Sequence, residues 1–100
     1  MTKVIFRREF PENGGQVLAV FPTLAGDNNP YTTCLCYSSI EQHSAMSLDY
    51  FKSTFPLTQE HEYIELLTEL YLIGYELEVM TRMSRKDLQE RISRCHIWWS

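Results

Sequence analysis

Hydrophobic and polar positions change rhythm several times along this chain, and the clearest change lies between Thr58 and Arg82. At 100° per residue, Tyr63, Ile64, Leu66, Leu67, Leu70, Tyr71 and Ile73 cover about half of a helix circumference, while Glu62, Glu65 and Glu69 share a narrow arc beside it. Thr58 can cap such a helix through its hydroxyl, and Glu60 and Glu62 suit its positively polarised first turn. Gly74 is placed to close it in the left-handed conformation, after which the period drops to two: Tyr75, Leu77 and Val79 on one side, Glu76, Glu78 and Arg82 on the other. The pattern predicts a helix, a glycine stop and a strand.

Upstream, Thr2–Phe10 and Gln16–Phe21 are rich in Val, Ile and Phe and read as two strands. PENGG between them supplies a proline and residues tolerant of positive φ, so the strands are expected to pair antiparallel. In the first, Val4 and Phe6 share one side and Ile5 and Arg7 the other; the second is apolar on both sides and so is the more central. After a polar loop, YTTCLCYS reads as a third strand with Tyr31, Thr33, Leu35 and Tyr37 facing one way and Thr32, Cys34, Cys36 and Ser38 the other. Ser39–Ser47 has no clean period and reads as a loop. LDYFKSTFP, 48–56, reads as a fourth strand or an extended arm. From Ser84, a capping pair with Asp87 opens a short basic helix with an apolar line at Leu88, Ile92 and Cys95, braced by Asp87–Arg91 and Glu90–Arg94 at i,i+4 and ending in Trp98 and Trp99. The expected fold is α+β: a mainly antiparallel sheet of four or five strands in the order β-β-β-β-α-β, one principal helix on one face, and a short C-terminal helix. Residues 1–83 form the domain, and 84–100 a basic tail that belongs to it or docks on it.

One hundred residues, 44% hydrophobic, suffice for one small core. No run of about 18 apolar residues could span a bilayer, and charges interrupt the amino-terminal segment where a secretion signal would be apolar, which predicts a cytoplasmic protein. Three cysteines do not make a disulfide framework, and Cys34 and Cys36 are too close along a strand to bridge. Residues 1–83 carry five basic and eleven acidic side chains, net −6, against four and two, net +2, in 84–100. Between Lys52 and Arg82 lie six glutamates and no Lys or Arg, which makes the main body a poor ligand for nucleic-acid phosphates and leaves a nucleic-acid role only to the tail, through Arg91 and Arg94.

VIFR at 4–7, LAVFP at 18–22, the stretch from YTTCLCY to the Gln42–His43 pair, and IGYEL at 73–77 together resemble a family of small proteins from bacteria, their phages and mobile elements. The resemblance covers residues 3–82 and excludes the tail. It implies a shared fold and a mobile-element or gut-bacterial setting, and carries no activity onto any residue.

Three constellations could bear chemistry. Cys36 and His43, with Gln42 or Asp49 behind them, have the types of a nucleophile, a base and an orienting group, although nothing nearby supplies the cation or helix terminus that activates a thiol. Cys34, Cys36 and His43, with His61, Cys95 or His96, are dispersed for metal ligands and lack a C-x2-C or H-x3-H pair, so no cofactor or metal is expected. Gly14–Gly15 leads into a strand rather than a helix, unlike a phosphate cradle. The remaining reading is a small non-enzymatic interaction module whose partner-binding residues are Glu62, Glu65 and Glu69 on the helix and Arg91, Arg94, Trp98 and Trp99 in the tail. Its partner is a foreign protein or a second copy of the chain, the tail of one copy docking on the acidic stripe of the next.

Overall fold

A computed structural model describes residues 1–40 and 42–99, with side chains described as far as Cys95. Among them run β1 (Thr2–Glu9), β2 (Val17–Phe21), β3 (Thr33–Ser38), β4 (Gln42–Ser47), α1 (Leu48–Lys52), β5 (Thr54–Pro56), α2 (Ile64–Leu72), β6 (Leu77–Met80) and α3 (Arg85–Trp99). The expected α+β class holds. One mixed sheet is ordered β4-β3-β2-β1, and the outer edge of β1 is shared by two short strands. β5 pairs antiparallel with Arg7–Glu9, and β6 pairs parallel with Thr2–Ile5.

The hairpin between β1 and β2 turns as predicted, through a single 3-10 turn at Pro11–Asn13 and positive φ angles at Gly14 and Gly15. Alternation then builds two cores. Val4, Phe6, Ala19, Phe21, Tyr37 and Leu77 face α2, which contributes Leu66, Leu67 and Leu70. Ile5, Leu18, Val20, Cys34, Cys36 and Met46 face the other way, beneath Leu48, Tyr50, Phe51, Met80 and Met83. A fully buried leucine such as Leu70 contributes about 1.5–3 kcal/mol by burial. The switch at Gly74 also forms as expected. Gly74, at φ 111°, donates its N–H to the Tyr71 carbonyl and Tyr75 to that of Leu70, each at 3.1 Å, the paired bonds of a Schellman ending.

Four expectations are corrected. The segment read as a loop is strand β4, paired to β3 along its whole length; only Met46 is buried in it, so it lacks a two-residue rhythm. The segment 48–56, expected as a fourth strand or an extended arm, is mostly helix, because Ser47 Oγ accepts the Tyr50 N–H at 3.0 Å and caps α1; only Thr54–Pro56 is extended. The principal helix is shorter than its pattern: Glu62 closes a 3-10 turn by accepting the Gln59 N–H at 3.1 Å, and Tyr63, at φ −130°, breaks the run to stack on Phe6, with ring centroids 4.2 Å apart. The longest helix is α3, at 15 residues. Its predicted start is correct: Ser84 donates its N–H to Asp87 Oδ2 at 2.9 Å, and Ser84 Oγ accepts from the Asp87 N–H at 3.2 Å.

Candidate functional site

The structure divides the sequence-predicted residues between two faces of the sheet. Cross-strand register pairs Tyr37 with His43 and Cys36 with Ser44. Neighbouring positions on a strand point to opposite faces, so the Cys36 thiol enters the core under α1, while the His43 ring lies on the α2 side. There, its edge meets Tyr37 at 4.9 Å and its Nε2 lies 2.7 Å from the Tyr75 hydroxyl. A hydrogen-bonded Cys36–His43 pair is therefore impossible without unzipping the sheet, and the thiol-enzyme reading is withdrawn. Asp49 is exposed on α1 and does not complete such a pair. Cys34, also buried, has its thiol pushed up to about 11 by burial, opposite to what activates a nucleophile. Among the described residues no three His, Cys, Asp or Glu side chains converge as metal ligands. His96, one of the fourth ligands considered, lies outside the described side chains.

The acidic stripe is dismantled by its own fold. Glu62 is spent on the turn before α2. Glu69 accepts from the Tyr37 hydroxyl at 2.5 Å and from Ser39 Oγ at 3.1 Å, tying α2 to the β3–β4 hairpin. That carboxylate, more than burial, raises the Tyr37 phenol above its ordinary pKa. Gln42, which also meets the Tyr37 hydroxyl, at 3.2 Å, belongs to the same network. Glu65 alone of the three points straight into solvent.

In the tail, Arg91 is buried: Nη1 donates to the Pro22 carbonyl and Nε to the Pro30 carbonyl, each at 2.6 Å. It is a strut inside the fold and has no face to offer phosphate or a partner, which corrects its assignment. Asp87 does not serve Arg91; it takes Lys3 Nζ at 3.1 Å. Arg94 is exposed and meets Glu90 at 3.6 Å, as expected. The side chains of Trp98 and Trp99 lie outside those described.

Sequence reasoning missed an exposed apolar surface. The pattern assigned Ile64, Tyr71 and Ile73 to the core, but α2 buries only Leu66, Leu67 and Leu70. Ile64 is 38% exposed, Tyr71 50%, Ile73 51%, and Leu72, at the crest of the helix, 82%. Ile64 and Tyr71 occupy the flank opposite Glu62 and Glu69, which is the flank toward β6 because Glu69 reaches β3. On β6, Val79 lies opposite Val4 on this same sheet face and is 39% exposed. The available signal was excess: half a circumference of apolar residues is more than the stripe of about 100° that one helix face needs.

No family model, curated protein or solved structure matches the chain. Among the described residues, no helix is long and apolar enough to cross a membrane.

Proposed function

We propose that this chain is a small, non-enzymatic protein-interaction module that binds through the outer surface of α2 and the neighbouring edge strand β6. The carrying observation is Leu72, 82% exposed between Tyr71 and Ile73, which are themselves half exposed. Isolated exposed apolar residues are ordinary, but a group of them on one helix and the adjacent strand marks an interaction surface. Its partner is specified by charge. From 53 to 81 the chain itself contributes six glutamates and no Lys or Arg, with Glu60 and Glu65 exposed, and Arg8 of β1 is a basic side chain that lines a hollow with Glu62 and Glu65. The complementary partner is a protein segment with apolar anchors and basic residues beside them.

A second copy is the less suitable partner. The basic helix α3 packs through Arg91, against Met83, on the sheet side away from α2, so docking α3 of one copy on α2 of the next joins unlike surfaces and builds a ring or an open chain rather than a two-fold dimer. The resemblance to a family from bacteria, their phages and mobile elements implies the setting in which to look for the foreign partner. A photoactivatable residue at Leu72, compared with one at exposed Arg85 on α3, tests the reading in host cells. A discrete adduct specific to position 72 is expected, and equal yields at the two positions would contradict it.

A further inference from the structure

Under α1, on the sheet face away from α2, lies a cavity of about 400 Å³ that the binding surface does not involve. Its volume is within the range of small-ligand sites. Its lining mixes apolar Leu18, Cys36 and Met46 with Ser44, Tyr50 and the carboxyl group of Glu9. Glu9 is only 8% exposed. Its Oε1 accepts the Gln16 N–H at 3.1 Å and its Oε2 accepts the Tyr50 hydroxyl, two donors for a group with about four acceptor positions.

Charge is what this arrangement lacks. Among the described residues the ion pairs are Lys3–Asp87 and Glu90–Arg94, so Glu9 has no cation of its own. Arg7, two residues away on the same side of β1, is committed elsewhere: it donates to Thr54 Oγ1 at 2.9 Å and to the Thr54 and Phe51 carbonyls, and its guanidinium lies 4.3 Å above the Phe51 ring. Arg8 points to the other face and meets the Gly15 carbonyl, and Lys52 is exposed on α1. The acceptor positions of Glu9 that Gln16 and Tyr50 leave open face a cavity that can admit a guest bearing charged N–H donors.

The geometry points to a binding site for a small organic cation, an alkylammonium group whose charged end meets Glu9 and whose stem lies along Leu18 and Met46. An anion is repelled there, and a metal ion would find one carboxylate where it needs several ligands. The same ammonium chemistry is presented by a free amine and by a lysine side chain of another protein.

Methyl-labelled methionine reads the site directly, because Met46 lines the cavity whereas Met1, Met80 and Met83 do not. Titration with n-butylammonium is expected to shift the Met46 methyl resonance selectively, with millimolar affinity as befits so few heavy atoms. n-Butanol, of the same shape without the charge, is expected to bind at least tenfold more weakly, as is n-butylammonium to Glu9→Gln. Nα-acetyl-lysine methylamide separates the sources: a matching shift assigns the site to lysine side chains, and a response to butylammonium alone assigns it to free amines. Equal binding of butanol and butylammonium by the unmodified chain, or no selective Met46 shift with any probe, overturns the proposal whether or not the Glu9 variant folds.

Discussion

Arg91 on α3 donates a hydrogen bond of 2.6 Å to the carbonyl of Pro22, a residue 69 positions earlier at the end of β2. A second, equally short bond to Pro30 fixes the other end of the same polar loop. A proline-rich loop has carbonyls to satisfy without a neighbouring strand to do so, and one buried guanidinium serves both.

Arg91→Ala is therefore expected to destabilise the chain by about 2–4 kcal/mol, as the loss of buried charge-assisted bonds leaves two carbonyls unsatisfied. Arg94→Ala, which removes an exposed pair, is expected to cost at most about 0.5 kcal/mol. Urea denaturation of the two variants measures the contrast. Deleting everything after Met83 is expected to lower stability as strongly as Arg91→Ala, so such a truncation does not isolate partner binding from folding.

Asp87 gives acid sensitivity a definite sign. Burial opposes its ionisation, but the Ser84 N–H and hydroxyl and the Lys3 ammonium outweigh it and hold the carboxyl below its ordinary value of 3.8. A carboxyl depressed in the folded state contributes stability above its unfolded pKa and loses it as pH falls through the folded one. The stability advantage of the parent over Asp87→Asn is accordingly expected to be constant from pH 7 to about 5, to shrink below about pH 4 and to vanish in stronger acid. Equilibrium unfolding at several pH values follows it.

Two glycines resist substitution for different reasons. A Cβ on Gly26 would lie 2.5 Å from the Cys34 carbonyl oxygen and 2.6 Å from Ala45 Cα, both backbone atoms that cannot step aside. One on Gly74 would meet nothing within 4 Å, but the φ of +111° is strained for any L side chain. Gly26→Ala is expected to cost about 3 kcal/mol or more and to shift β3–β4 resonances, and Gly74→Ala about 1–2 kcal/mol with the sheet unchanged. Thermal melts and amide spectra distinguish the two.

Thiol labelling tests the separation of Cys36 from His43. At neutral pH, partly exposed Cys95 is expected to react first, and Cys34, with its thiol raised by burial, only on unfolding. His43→Ala is expected to change the labelling rate of Cys36 by less than twofold, because the two side chains occupy opposite sheet faces.

Where one side of a segment meets the core and the other does not, the sequence is readable: the alternation of β1, the Cys34/Cys36 face of β3 and the change of period at Gly74 each predict what forms. β4 escapes because an edge strand with only Met46 buried carries no rhythm, and α1 because its five residues are set by one serine cap. The parallel pairing of β6 with β1 joins ends of the chain that share no local signal. At the candidate site the errors run in both directions. Glu69 and Arg91 look like surface charges but serve internal carbonyl and hydroxyl groups, whereas Tyr71 and Ile73 look like core and stand in solvent. Periodicity identifies which residues share a face and is silent on how much of that face the sheet covers.

The central claim, a basic partner held on the apolar and acidic surface of α2, is tested most directly by the affinity of the cross-linked partner, once purified, for the parent and for Tyr71→Ala/Leu72→Ala. Both side chains are at least half exposed, so the variant is expected to keep its melting temperature within a few degrees. Affinity is expected to fall at least tenfold in the variant, and parent binding to weaken between 50 and 300 mM salt. Undiminished binding by the double variant, with the salt dependence absent, would contradict the assignment of this face.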